Sequence, residues 1–259
     1  MKLGISTLCF ISKNFNFILK FLAEKFDVLW EIVDDGDHFL NEERIFELNK
    51  LRNDKKIEYS LHAPYASINI SATNPLVREY SQKLVLNSIE HARKLECKYI
   101  ILHPGGMDVL ASIGAKKNEI KEITSSYIGQ IVDICQAQGI MPLIENMSSS
   151  RMLLRKTEEI QEFINSIKSL KIVLDIGHAF VVNELDDMLL KLFKKIAYLH
   201  ISDNDGLSDK HWQLDKGKIP WRKIIDFFRI HNFDGPLVIE NLNWFDAKAS
   251  LTILKNYLE

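Results

Sequence analysis

Eight short apolar runs, each followed by a segment long enough for a helix, constrain this chain more than any other feature. They are KLGIST (2–7), DVLWEIV (27–33), IEYSLHA (57–63), KYIILH (98–103), IMPLIEN (140–146), KIVLDI (171–176), IAYLHIS (196–202) and PLVIEN (236–241). Most are nearly continuous in apolar residues, the pattern of parallel strands covered on both faces. Between them, the segment 116–138 carries Ile120, Ile123, Tyr127, Ile131 and Ile134 at helical spacing, which predicts one apolar stripe. Asn74-Pro75 reads as an N-cap with proline in the first turn. Gly139 reads as a helix stop. Eight β-α repeats without a Pro/Gly-rich linker predict an α/β fold, a single-domain (β/α)8 TIM barrel over residues 1–259. The competing arrangement, an open doubly wound sheet, lacks its glycine-rich phosphate loop after the first run.

At 259 residues and 46% hydrophobic, the chain can bury one large core. A net charge of −2 leaves no global basic field to gather nucleic acid or hold an anionic membrane. Cys9, Cys97 and Cys135 have no paired spacing, as in a reducing compartment. No apolar run nears the roughly 20 residues of a membrane span. The opening MKLGISTLCF is too short and mixed for a signal peptide. The expectation is a cytoplasmic protein with no membrane partner.

The polar chemistry collects where a barrel would use it. Active sites of this fold lie at the C-terminal ends of the strands. His62 and His103 end the third and fourth runs, Glu145 lies in the fifth, and Asp175 ends the sixth with His178 just beyond. His200 is in the seventh, Asp209 and His211 in the loop after it, and Glu240 in the eighth. Structural histidines and surface carboxylates would scatter over helices, whereas these converge on one rim. Carboxylates in runs such as PLIEN and PLVIEN are costly to bury unless paired or metal-bound. Mixed imidazole and carboxylate donors suit Zn²⁺, with Mn²⁺ or Fe²⁺ as competitors. Nine candidates exceed the three protein ligands of one catalytic zinc, so the expectation is a cluster. In Asp209-Lys210-His211 an extended backbone would send both ligands to the same side. Asp203 reads as a loop-ordering residue, Cys9 as a buried thiol, and Trp212 and Trp221 as loop packing.

The motifs SLHAPY, ILHPGG, LIENM, LDIGHAF, LHISDNDGLSDKHWQLDKG and LVIEN resemble the endonuclease IV family (AP endonuclease family 2). That family lies within the xylose isomerase-like TIM-barrel superfamily, which also holds sugar and sugar-phosphate isomerases and epimerases. The resemblance runs from the third to the eighth strand. It implies a multi-zinc phosphoester hydrolase with up to three Zn²⁺. It also implies a ligand set: His62, His103 and Glu145 at one ion; Glu145, Asp175, His200 and Glu240 at a second; His178, Asp209 and His211 at a third. Glu145 and Glu240 are the implied catalytic carboxylates. Glu145, Asp175, His200 and Glu240 are equally the single-ion ligands of the isomerase branch, so the alternative is a sugar or sugar-phosphate isomerase or epimerase. Tyr65 and Glu31 are the expected substrate-binding residues. Tyr65 falls where the nuclease family contacts DNA but equally reads as a pocket wall, and a Glu in the position of Glu31 is common in the isomerase branch.

The loop EIVDDGDHFL (31–40), with Glu31, Asp34, Asp35 and Asp37, departs from the basic early loops of the nucleases and is expected to repel phosphates. Arg151, Arg155, Lys156, Lys210, Lys216 and Lys218 are candidates for a local basic rim or for ordinary solvated surface. The expected partner is a small phosphoester or sugar substrate, or abasic DNA; the oligomeric state stays open.

Overall fold

A computed structural model describes residues 1–24, 28–114 and 116–259. Among the described residues, eight parallel strands close into a barrel in sequence order. They are β1 (Lys2–Ser6), β2 (Leu29–Val33), β3 (Glu58–His62), β4 (Tyr99–Leu102), β5 (Met141–Glu145), β6 (Lys171–Asp175), β7 (Ile196–Ile201) and β8 (Pro236–Ile239). Each lies within one of the eight predicted runs; Asp27, the first residue of the second run, lies outside the described residues. The surrounding helices are α1 (Phe15–Leu22), α2 (Glu42–Lys55), α3 (Pro75–Lys94), α4 (Val109–Ile113), α5 (Lys117–Ala137), α6 (Thr157–Ser166), α7 (Ile176–Val181), α8 (Leu185–Leu192), α9 (Trp221–Ile230) and α10 (Trp244–Leu258). No described helix is long and apolar enough to cross a membrane.

Local chemistry accounts for the helix boundaries. Asn74 accepts a hydrogen bond from Leu76 N with Pro75 in the first turn of α3, as a capping Asn and an N-terminal Pro should. Gly139 sits at φ +74° beyond α5, a left-handed conformation that glycine adopts without strain. The buried stripe of α5 is Ile120, Thr124, Tyr127, Ile128, Ile131, Val132 and Cys135. It is wider than predicted and turned from it, leaving Ile134 37% exposed. A barrel helix needs an apolar face broader than a single seam.

Two cores result. The larger fills the space between strands and helices. The smaller plugs the barrel with Leu29, Ile101, Leu143, Val173, Tyr198 and Val238. Gly4 of β1 adds no side chain to this plug, because a Cβ there would meet Val238 Cγ2 at 2.6 Å and Leu29 O at 3.0 Å. With each fully buried large apolar side chain worth about 1.5–3 kcal/mol, this plug gives the layer above it a rigid floor.

Candidate metal centre

Above the plug, side chains turn from apolar to ionisable. Register sets which of them meet: Val33 of β2 pairs with His62 of β3, and Asp175 of β6 pairs with His200 of β7. Glu145 closes β5, while His103 and Glu240 follow the ends of β4 and β8 by one residue. His178 belongs to α7, which starts directly after β6 and is capped by Asp175 Oδ1 accepting from His178 N. No helical period marks α7 in the sequence, since its six residues are too few to show one.

All nine predicted ligands converge. His62, His103 and Glu145 offer donor atoms within 4.8 Å of one another, and so do Glu145, Asp175, His200 and Glu240. Glu145 belongs to both sets: its Oε2 is 3.3 Å from His62 Nε2 and 3.0 Å from His103 Nε2, while its Oε1 is 3.1 Å from His200 Nδ1. A third trio is looser: Asp209 Oδ2 lies 3.0 Å from His178 Nε2 and 2.8 Å from His211 Nε2, but the three residues are not among the groups whose donor atoms all lie within 4.8 Å of one another.

The hydrogen-bond partners fix the tautomers of three of these histidines. His62 Nδ1 donates to Ala63 O at 2.9 Å, His178 Nδ1 to Asn146 O at 2.9 Å, and His211 Nδ1 to Glu240 O at 2.8 Å. A carbonyl can only accept, so in each neutral imidazole the Nε2 lone pair faces a carboxylate oxygen. Two lone pairs at that distance need a proton or a cation between them. Ligands of a tetrahedral ion at 2.0–2.1 Å stand about 3.3 Å apart, close to the separations here. Asp209 Oδ1 is also buried with no hydrogen-bond partner. The donor set therefore fits divalent ions of the zinc type, and fixing the second histidine nitrogen is how proteins orient such ligands.

Electrostatics agree. Burial alone would raise the Glu145 carboxyl, but His200, His103 and His62 hold it well below its ordinary range. Burial raises Asp175. Burial, with Glu145 and Glu31 nearby, pushes Glu240 up to about 7. Burial opposes a proton on His62 and His211, yet Glu145 beside the first and Asp209 beside the second carry each up to about 9. His178 and His200 are held well above normal against the same burial penalty, while burial lowers His103. Without ions, protons on the histidines offset the crowded carboxylates.

The loop after β7 positions Asp209 and His211 at the rim. Asp203 accepts from Asn204 N, Gly217 N and Ile219 N, which ties the loop's two ends together. The two-residue spacing of Asp209 and His211 does not work through an extended backbone, as the sequence suggested. His211 has φ 48°, a left-handed conformation uncommon for a side-chain-bearing residue. Its Nδ1 bond to Glu240 O, together with Asn241 Nδ2 donating to His211 O, fixes that turn.

The remaining sequence candidates divide. Tyr65 stands at the pocket edge, its ring 4.6 Å from that of His103 and 4.9 Å from that of His62. Glu31 is fully buried behind His200, accepting from His200 Nε2 and from the Tyr198 hydroxyl, each at 2.9 Å. The acidic loop does not present four charges to solvent. Asp34 is buried and accepts from Leu40 N, Ser88 Oγ and His91 Nδ1. Asp35 accepts from Tyr65 N and Ala66 N, leaving Asp37 as the exposed member. On the later rim, Lys156 pairs with Glu184, Lys216 pairs with Asp246, and Arg155 Nε donates to Ser148 O. Cys9 is buried and its thiol is raised by that burial. Trp221 is buried with its indole N–H on Asp215.

Comparison with known proteins closes the identification. Residues 28–257 match the family model described as xylose isomerase-like TIM barrel. Uncharacterized protein MJ1311 of Methanocaldococcus jannaschii is 33% identical over 265 residues, covering 100% of this chain and 90% of the relative. Probable endonuclease 4 of Mycoplasmopsis synoviae is 24% identical over 197 residues, covering 70% of this chain and 68% of the relative. Among solved structures, a D-tagatose 3-epimerase-like protein superposes with a TM-score of 0.92 at 31% identity, covering 100% of this chain and 97% of that one. D-psicose 3-epimerase from Clostridium cellulolyticum H10 gives 0.78 at 17% identity, with complete coverage of both chains, a likeness of fold. The barrel, its rim of ligand-type residues and these matches together make the chain a member of the xylose isomerase-like TIM barrel family.

Proposed function

We propose that the protein is a metal-dependent phosphoester hydrolase of the endonuclease IV type, holding up to three Zn²⁺, with Mn²⁺ or Fe²⁺ as competing ions. The observation that carries this reading is the five-residue surplus over a one-ion site. Glu145, Asp175, His200 and Glu240 would already hold one ion. His62 and His103 on the far oxygen of Glu145, and Asp209 between His178 and His211, have no role in a one-ion site that needs this geometry. Bound divalent ions would supply Lewis-acid charge to a phosphoryl group and acidify water.

In this reading Glu145 holds two ligand sets a carboxylate's width apart, and Glu145 and Glu240 are the two catalytic carboxylates at the shared edge of the sets. Tyr65 walls the pocket against substrate at the His62 and His103 side. The substrate is abasic DNA or a smaller phosphoester. The scattered free thiols, all three buried, support a reducing, cytoplasmic setting.

The second reading is a sugar or sugar-phosphate epimerase at a single ion, with Glu145 and Glu240 moving the substrate proton. It is favoured by the full-length likeness, at 31% identity, to the structure described as D-tagatose 3-epimerase-like. Wild type and His103→Ala separate the two on an abasic-site duplex, a small phosphodiester and a panel of ketoses and their phosphates. Hydrolysis that His103→Ala loses is the expected result. Sugar interconversion that survives His103→Ala would overturn it in favour of the epimerase.

A further inference from the structure

His200 differs from three of the other candidate ligand histidines in what holds its second nitrogen. His62, His178 and His211 are each pinned through Nδ1 to a backbone carbonyl and offer Nε2. His200 is reversed: its Nδ1 faces Glu145 Oε1 at 3.1 Å and Glu240 Oε2 at 3.5 Å, and its Nε2 meets the side chain of Glu31. Glu31 lies below the ligand layer, fully buried, in the same register row as Ser6 and Ser60. Its bonds come to one oxygen. Oε2 accepts from His200 and from the Tyr198 hydroxyl, and Ser60 Oγ bonds that hydroxyl in turn at 2.8 Å. Oε1 is buried without a hydrogen-bond partner.

A carboxylate placed inside a barrel with two donors and an orphan oxygen is poorly compensated, and such a charge costs several kcal/mol unless a positive group sits beside it. Tyr198 supplies a dipole, not a charge. The compensation comes chiefly through His200, with His62 a smaller contributor. An imidazole that donates Nε2–H to Glu31 gains electron density at Nδ1, and so binds an ion more tightly there. A carbonyl, as used by the other three, orients the ring but brings no net charge.

We propose that Glu31 is a positioning residue for His200: it fixes the tautomer that presents Nδ1, and its buried charge sets the affinity of the Glu145, Asp175, His200 and Glu240 ion site. This inference rests on the metal-site reading above. It moves Glu31 from the expected substrate contact to a place behind a ligand, and makes the affinity of one ion site adjustable apart from the others.

The test is Zn²⁺ binding by the full chain, titrated against a competing chelator, for wild type, Glu31→Gln and Tyr198→Phe. Glu31→Gln keeps shape and an acceptor for His200 but removes the charge. It should weaken one ion by 10–100-fold, the usual cost of losing such a partner, and leave the remaining ions unchanged. The rise in melting temperature on adding Zn²⁺ should shrink with it. Tyr198→Phe removes the hydroxyl behind Glu31, keeps the ring, and should bind Zn²⁺ as wild type does. Unchanged Zn²⁺ affinity in Glu31→Gln, with equal loss of melting temperature in metal-free and loaded protein, would reduce Glu31 to a structural role. Equal losses of affinity in Glu31→Gln and Tyr198→Phe would likewise overturn the assignment. A wild type that takes up no Zn²⁺ would instead overturn the metal reading itself, and this inference with it.

Discussion

At the N-terminal end of the barrel, Lys2 faces Glu58 with side chains 44% and 69% exposed, and Arg52 faces Glu96. At the C-terminal end, the side chains of His200 and Glu145 are 0% and 1% exposed. The two ends contain the same kinds of group in opposite solvents. Water screens the first set, so those ion pairs contribute little, about 0–1 kcal/mol for an exposed pair. The second set has lost its water, and each unpaired charge there costs several kcal/mol. A fold that needed only stability would fill the upper layer as it fills the plug below, with Leu143, Val173 and Val238. The difference is why the candidate site is assigned to the C-terminal end and the other end to solvated surface.

The comparison breaks most visibly at Glu145. Glu145→Ala strips the shared counter-charge from His62, His103 and His200, and removing one partner of a buried pair costs about 3–5 kcal/mol. Urea denaturation should show that loss, together with loss of bound metal. A variant as stable as wild type would mean that the buried charges do not depend on one another.

Chelation comes next. An ion present at 100 times its dissociation constant stabilises the folded state by about 2.7 kcal/mol, so complete removal should lower the melting temperature of wild type. An identical melting curve before and after would argue against ions at this end.

A smaller effect sharpens the comparison through pH. His62 and His211 have folded pKa values raised to about 9. Their protonated forms stabilise metal-free protein below the ordinary histidine value of 6.5, and that contribution is lost as pH rises through 9. Glu240, raised to about 7, acts in the same direction, since its neutral form is the stabilising one. Loaded protein, whose ligands have already given up their protons, should not share the loss. The gap in melting temperature between loaded and chelated protein should therefore widen from pH 6.5 to 9; a constant gap would contradict the protonation balance. The smallest effect belongs to the other end: Lys2→Ala should cost under about 1 kcal/mol, and less in high salt.

The barrel was legible because parallel strands covered on both faces write themselves as apolar runs, from KYIILH at β4 to PLVIEN at β8. The candidate ligands could be picked out because ionisable residues at strand ends stand out against such runs. Short α4 and α7 were not, as five or six residues show no period. Nor was the backbone at His211, where a left-handed turn replaces the extended geometry that a two-residue spacing suggests. The acidic loop misled for a related reason. Asp34 finds Ser88 and His91 more than fifty residues away, and no local pattern announces such a contact. The partnership of Glu31 with His200, 169 residues apart in the chain, is hidden in the same way.

The central claim is that the C-terminal end holds a cluster and not a single ion. Elemental analysis of protein purified without chelator, then reconstituted with Zn²⁺ and freed of excess, tests it most directly. The nine converging ligands predict more than one transition-metal ion per chain. One ion or fewer after reconstitution would contradict the cluster and leave Glu145, Asp175, His200 and Glu240 as a one-ion isomerase site.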